Sequence, residues 1–351
     1  MTPDREPSLD EIADAAAELA ELRSTADHIL NQAWTVDRAR ALLDGPPPAF
    51  DEQLWKTVLA LGWPDVLVAE AYGGGGGSLR ELCVLAEAAG AAALPVPLAS
   101  AAAAAWCEQR RAAGLTLILE DVGATSSEKE INGTWPLVHY GDAADQLLVL
   151  GWRDGQPVLG AVDTTASGVG RQPEQPLDRN PAASITLTDV PLRVLASGAP
   201  AVEKHRDALR RSRLATVAEL IGIAAAANDA AVEYAKVRVT FGRPIGARQA
   251  IKHRLVDQRS VIEIARALVN RAADAVELQH PDAAALVSLA CFWAIDSLRQ
   301  VPEGAMQVFG GIAYTWEHQA HVHLRRAASR VAALGSRAEH RAVVTQWLRT
   351  R

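Results

Sequence analysis

The sequence is poor in cysteine: three in 351 residues, Cys83, Cys107 and Cys291. They lie far apart, with neither metal-ligand spacing nor a disulfide framework, which fits a reducing, cytoplasmic setting. Positive charge is also scarce. The formal net charge is −7, so there is no electrostatic footprint for a nucleic-acid partner. The opening segment, "MTPDREPSLDEIADAAAEL", is acidic and lacks an apolar signal core. No run is apolar enough for a membrane span. The nearest, "AAGAAALPVPLASAAAAAW" at 88–106, is broken by Pro95 and Pro97, and its alanines are only weakly apolar. It reads as two packed helices with a proline joint. No internal repeat is present. What remains is a chain of 49% hydrophobic composition, which excludes whole-chain disorder and is long enough for a large core with more than one substructure.

Residues 8–43 and 50–61 alternate apolar and charged positions at helical spacing. Five glycines, Gly73 to Gly77, then precede a new helix, with Ser78 as N-cap and Glu81 as its capping-box partner. The glycine run reads as a flexible connector; a phosphate cradle would want a following Lys or Thr, which is missing. From about 114 the pattern changes to short segments rich in β-branched residues, "LTLILE", "WPLVHY", "QLLVLGW", "PVLGAV" and "SITLTDVPLRVL". These predict a small β-domain. After 203 long helices return, at about 205–238, 247–279, 283–300 and 317–333, with a shorter one at the C-terminus. The breaks fall at Pro281 and at Gly310–Gly311. The fold class is α+β: an N-terminal helical domain (1–113), a middle β-domain (114–198) and a C-terminal domain of four-helix-bundle type (199–351).

Two stretches invite a chemical reading. "YAKVRVTFGRPIG" at 234–246 places Arg238, Thr240 and Phe241 at a helix end before a Gly-Pro turn, and "QVFGGIAYTWEH" at 307–318 mixes polar anchors with small residues. Each can be an ordinary helix terminus, the first ending favourably on the basic Arg238 and the second on its glycine cap. Each can also hold phosphate, because a guanidinium is a fixed, permanently charged fork and a glycine admits close backbone approach.

With these motifs in order, and "GWPDVLVAEAYGGGGGSLREL" at 62–82 ahead of them, the chain resembles the acyl-CoA dehydrogenase family over nearly its whole length. The segment at 62–82 is similar to the family's "GW…PEEYGG" segment. Residues 234–253 are similar to its "YA–ER–FG–PI–QAIKH" signature, and 307–327 to its "Q–GG–G–T–E–R–A" signature. The resemblance implies FAD bound across a subunit interface and an acyl-CoA thioester as substrate. It implies that Arg238, with Thr240 and Phe241 beside it, contacts the pyrophosphate of a neighbouring subunit's FAD, and that Gln307, Gly310 and Gly311 contact the same nucleotide half. Arg248 stands where some members have His.

The same resemblance exposes departures. A base must be a carboxylate near the substrate Cα. One family position for it falls in "ALGS", at Leu334; another falls at Ser212, on the helix before the first signature. Neither residue accepts a proton at neutral pH. Glu219, seven residues after Ser212 in the apolar run "LATVAELIGIAAAA", is either an interhelix ion pair or a displaced base. Glu317 reads as a first-turn helix carboxylate. Glu120 matches a glutamate of the family's flavin-ring loop, but "DVGATSSEKEINGTW" after it is short, and its hydroxyls Ser126 and Ser127 read as an ordinary turn. His318, His321 and His323 share a helix without an acidic ligand, so no metal site is expected. The resemblance then implies one subunit of a hetero-oligomer with a second acyl-CoA dehydrogenase-like chain. The alternatives are a non-enzymatic structural or regulatory subunit, and a self-sufficient homomeric dehydrogenase using Glu219.

Overall fold

Capping chemistry sets the ends of the first helices in the computed structural model, which describes residues 9–45, 50–127 and 129–351. Helix α1 (Leu9–Ala33) leads to α2 (Val36–Asp44), where the Thr35 side chain accepts from the Arg38 amide. Helix α3 (Glu52–Ala60) starts at Asp51, whose carboxylate accepts from the Leu54 amide. Helix α4 (Leu79–Ala91) carries the full capping box between Ser78 and Glu81. The apolar stretch divides where its prolines require. Helix α4 ends at Ala91 and α5 (Leu98–Glu108) begins after Pro97.

The five glycines are not a slack connector. The amides of Gly74, Gly75, Gly76 and Gly77 donate to the carbonyls of Ala69, Asp65, Val68 and Val66. A Cβ on Gly74 would overlap the Val68 carbonyl. The run is pinned to the segment just upstream, and the amides a phosphate would need are already engaged.

The β region is one eight-stranded sheet in the order β6-β7-β3-β2-β4-β5-β8, with β1 pairing β4 in parallel. Its strands are β1 (Thr116–Ile118), β2 (Ala124–Ser126), β3 (Glu130–His139), β4 (Gln146–Arg153), β5 (Gln156–Asp163), β6 (Val169–Glu174), β7 (Ala182–Pro191) and β8 (Arg193–Ser197). Strand β4 reads as a continuous apolar run because both of its faces are covered. Leu147 and Val149 join the main core, while Leu148 and Leu150 pack with Ala103, Ala104, Ala208 and Leu209 of the flanking helices. Edge strand β6 is exposed almost throughout and carries Arg171, Pro173 and Glu174, residues that discourage pairing with another chain.

The helical half is built on α6 (Ala199–Val237), a single 39-residue helix whose centre, Leu214 to Ala225, is buried on all sides. A two-strand hairpin, β9 (Val239–Thr240) and β10 (Arg243–Pro244), links it to α7 (Gln249–Glu277). Helix α8 (Ala283–Trp293) does not stop near 300 as its sequence predicts. It passes through a π-turn at Ala294–Leu298 into α9 (Gln300–Phe309), so the chain stays helical up to the Gly310–Gly311 break. Helix α10 (Ala320–Ala332) starts later than expected, because the His318 amide donates to Thr315 in a turn ahead of it. Helix α11 (Arg337–Arg349) closes the chain, capped by Ser336. Two helical stretches, Ala199–Val237 and Ala283–Tyr314, are long and apolar enough to cross a membrane by composition, but 78% and 50% of their most apolar windows are buried within the fold.

Candidate functional site

A cleft of about 270 Å³ opens where α5, the β1 and β3 ends, α6 and the end of α10 converge. Its lining includes Pro97, Leu117, Glu120, Trp135, His139, Tyr140, Ser212, Arg213, Arg330, Ala333 and Gly335. Of the two positions where the family resemblance puts a base, Ser212 lines this cavity, while at the other only the neighbours of Leu334, Ala333 and Gly335, reach it. Neither brings a carboxylate. Leu334 itself is fully buried, at 0% exposure, and its carbonyl bonds His340 Nε2 at 2.8 Å.

Among the described residues the carboxylate that lines the cleft is Glu120, and it is already engaged. Both of its oxygens lie 2.8 Å from Arg213 Nη2, which bridges the end of the sheet to α6. Trp135 Nε1 donates to the Glu120 carbonyl at 2.8 Å and fixes the same corner. This pair stands at the outer part of the cleft, since both side chains are partly exposed. The inner end is Arg330, at 5% exposure, with Tyr140 at 1%. Burial and the Arg330 charge hold the His139 imidazole down to about 4, so that ring is neutral.

Glu219 is not on the cleft lining. It is buried and faces α10, where Arg326 Nη2 donates to it at 2.9 Å and Arg330 Nη1 stands at 3.7 Å. Arg326 also donates to the Leu94 carbonyl, and Arg330 Nη2 lies 3.6 Å from Asp178. Asn180 supplies a hydrogen bond to Asp178 at 2.8 Å. Two buried arginines against two buried carboxylates balance in charge, the condition under which ionised groups persist in a core. The network joins the α4–α5 joint, the β6–β7 connection and two C-terminal helices.

The proposed nucleotide contacts lie elsewhere. Arg238 ends α6, exposed, with no ion-pair partner among the described residues. The helix carries it roughly 39 Å along the axis from Ser212. Phe241 and Gly242 both adopt positive φ, 52° and 78°, at the tip of the hairpin, the backbone of a tight two-residue turn. A non-glycine residue pays strain there, and Phe241 is held out at 93% exposure. The Arg248 guanidinium lies 5.2 Å over its ring. Thr240 is half-buried beneath, and its carbonyl accepts from Arg248 Nη2 at 3.4 Å.

The second motif meets the first. Tyr234 and Phe309 pack with ring centroids 5.1 Å apart, so signatures some 70 residues apart form one surface. Gln307 is exposed on it, Gly310 has φ 73°, and a Cβ at Gly310 or Gly311 would meet nothing within 4 Å. That leaves the backbone open on its outer side. Val237, Val239, Ile312 and Tyr314 are exposed apolar neighbours in the same two segments.

Glu317 sits in the turn three residues ahead of α10 and does not cap it; the residue at the N-cap is Gln319, whose side chain makes no capping bond and donates to Asp37 at 3.1 Å instead. His321 stacks on Trp316 at 4.5 Å, His318 packs on Phe309 at 4.4 Å, and His323 is buried with its imidazole pushed down to about 4. The three histidines therefore go three separate ways. Ser126 and Ser127 bond to the backbone of 127–130 in a turn. The three thiols are free and buried, and burial pushes each upward, away from thiolate.

Arg213, Trp135, His139, Tyr140 and Arg330 went unnoticed in the sequence. One signal was available: Arg326 and Arg330 are four apart in "LRRAASR", one helix face with two cations that need acids.

The chain is similar to known proteins over most of its length. The family model described as acyl-CoA dehydrogenase, N-terminal domain, matches residues 16–112, and that of the C-terminal domain matches 203–348. The acyl-CoA dehydrogenase IpdE2 of Mycolicibacterium smegmatis is 30% identical over 90% of this chain and 93% of its own length. FadE34 of Mycobacterium tuberculosis is 34% identical over 78% of this chain, which spans 39% of that longer protein. Among solved structures, a Tcur3481–Tcur3483 steroid ACAD variant is 28% identical with a TM-score of 0.85, covering 95% of this chain and 98% of the other. The ChsE4–ChsE5 complex from Mycobacterium tuberculosis has the same TM-score at 22% identity, with 95% and 97% covered.

Proposed function

The chain belongs to the acyl-CoA dehydrogenase family, and from that premise we propose that it is the completing subunit of a hetero-oligomeric acyl-CoA dehydrogenase. It lends Arg238 to an FAD held by a second, base-bearing chain. The observation that carries this is the distance along α6. Arg238 is roughly 39 Å from Ser212, too far to serve this chain's own cleft, yet it stands exposed without an acidic partner among the described residues.

FAD, when bound, supplies the hydride acceptor for α,β-dehydrogenation of an acyl-CoA. The residues at the hairpin fit its nucleotide half. Arg238 offers a charge-assisted fork for pyrophosphate, Gly310 and Gly311 leave the backbone open, and Gln307 adds an amide. The exposed Val237, Val239, Phe241, Ile312 and Tyr314 give a partner an apolar surface to cover. The residues of this chain's own cleft do not fit a working site. Among the described residues no free carboxylate lines it, Leu334 is buried, and the Glu120–Arg213 pair crosses its outer part. Glu219 acts in this reading as the buried counter-ion of Arg326 and Arg330. The buried free thiols suit a reducing, cytoplasmic setting. Two of the similar structures are complexes of two differently named chains, which supports a mixed assembly for this one.

The experiment is expression of this chain alone and together with a base-bearing homologue from the same genome. Light-scattering mass, flavin-to-protein ratio and acyl-CoA turnover are then recorded. The expected result is little turnover alone, and a mixed tetramer with about half the FAD of a homotetramer when co-expressed. A stable homotetramer with one FAD per subunit and ordinary turnover would overturn the proposal.

A further inference from the structure

The second nucleotide motif is a closed loop. Phe309 at its start and His318 at its end pack with ring centroids 4.4 Å apart, and the Gly310–Tyr314 turn lies between them. A loop whose ends touch is compact, so its two limbs are placed together. The outgoing limb carries the open backbone of Gly310 and Gly311. The return limb is tied to helix α2, nearly 300 residues away in sequence. Trp316 Nε1 donates to the Asp44 carboxylate, Arg40 Nη1 donates to the Glu317 carbonyl, and Gln319 Nε2 donates to Asp37 at 3.1 Å.

These bonds keep a regular register. Asp37, Arg40 and Asp44 share one face of α2, being three and four residues apart. They span roughly 10 Å of helix axis, about the reach of the extended chain from 316 to 319. The segment runs opposite to the helix, with Trp316 at Asp44, Glu317 at Arg40 and Gln319 at Asp37. Asp37 also stands 3.5 Å from Arg40. The rest of α2 is fixed. Ala39 and Leu43 are buried in the main core, and Arg179 of the β6–β7 connection donates to the carbonyls of Leu43 and Gly45. Trp316 is backed from α10, with His321 stacked on it at 4.5 Å and the Arg325 guanidinium over its ring at 4.9 Å. Asp37, Asp44 and Trp316 are exposed, so their bonds add little to the stability of the whole fold. What they fix is the place of one loop.

We propose that Arg40 and Asp44 are positioning residues for flavin binding. Helix α2 holds the 310–318 loop in the shape in which Gly310 and Gly311 meet the nucleotide half of a partner chain's FAD. A loop ordered in advance spares the complex the entropy of ordering it on binding. The inference rests on the completing-subunit reading.

The test compares a chain carrying both Arg40→Ala and Asp44→Ala with Trp316→Phe, which keeps a ring against His321 and removes only the indole donor. Hydrogen exchange of the 310–318 amides is read on the flavin-free protein. FAD affinity is read on the mixed complex by equilibrium dialysis, with the thermal midpoint as control. In both variants loop exchange is expected to speed up about tenfold and FAD affinity to fall about five- to tenfold, with the midpoint moved by less than about 2 °C. Asp44→Asn keeps an acceptor for Trp316 and should match the unaltered chain in both measurements. Unchanged loop exchange overturns the inference, as does faster exchange with unchanged FAD affinity. Exchange raised throughout the chain with a lowered midpoint means a merely structural role and overturns it too. Arg238→Ala, run alongside, separates the two readings. If it weakens FAD binding while the α2 variants do not, this inference alone falls. If it leaves FAD affinity unchanged, the completing-subunit reading falls and this inference with it.

Discussion

Gly90 of α4 and Gly222 of α6 sit at one helix crossing, each against the backbone of the other helix. A Cβ on Gly222 would overlap the Glu87 carbonyl, and one on Gly90 would overlap the Glu219 carbonyl. Neither position needs glycine for its dihedrals. In an exposed helix, Gly→Ala stabilises by roughly 0.5–1 kcal/mol. Here Gly222→Ala forces the backbones apart, and the expected outcome is a net loss of about 1–3 kcal/mol, measured by urea unfolding. Gain of stability would mean the helices are not in this contact.

Glu219 is placed by the same crossing. Glu219→Ala leaves Arg326 and Arg330 short of a counter-charge and is expected to cost about 3–5 kcal/mol. Glu219→Leu with Arg326→Met together should recover most of that loss, because the pair is replaced and not merely broken. Glu219→Gln in the assembled, folded complex should keep most of its turnover. A drop of about 10²-fold with FAD still bound would instead identify Glu219 as a proton acceptor.

If Arg238 completes a partner's FAD site as proposed, Arg238→Ala removes a charge-assisted phosphate contact of about 1.5–3 kcal/mol. FAD affinity of the mixed complex should fall by roughly ten- to a hundredfold, with helicity unchanged. Arg238→Lys keeps the charge without the fork and should fall between. Equilibrium dialysis of flavin reads both, and unchanged affinity in the alanine variant would remove Arg238 from the cofactor site.

His139 and His323 are both depressed to about 4, chiefly by burial. The unfolded chain, with histidines near 6.5, takes up protons first as pH falls. Their contribution to stability is therefore intact above about pH 6.5 and is lost progressively down to about 4, at up to about 1.4 kcal/mol per pH unit for each. His323→Gln should flatten the stability-pH slope between 5 and 6.5 by one proton's worth, read from denaturation midpoints. A slope unaltered by the substitution would mean that His323 is protonated in the folded protein.

What could be read in advance was local. The Ser78–Glu81 box needs three residues, the β-strands need a period of two, and the proline joint at 92–97 needs only its own ring. The two family signatures, at 234–253 and 307–327, are legible as words because each is contiguous. The failures are all long-range. The glycine run looked slack because its partners, the carbonyls of 65–69, leave no mark on side-chain composition. Glu219 was recognisable as a buried acid in need of a partner, but that partner is Arg326, 107 residues away. Glu120 was noticed and Arg213 was not, since nothing nearby in sequence links them. Helix α10 starts later than helical periodicity indicates because Thr315 and His318 form a turn that periodicity does not reveal.

Helix α6 runs unbroken for 39 residues, about 58 Å, from the β-domain past the cleft to the exposed arginine. A rod of that length is a lever. A tilt of 5° pivoting at Ser212 swings Arg238 by roughly 3 Å over its 39 Å arm, about one hydrogen-bond length. Under the completing-subunit proposal, a tilt set at Ser212, Arg213 or Thr216 would therefore change where Arg238 reaches at the far end.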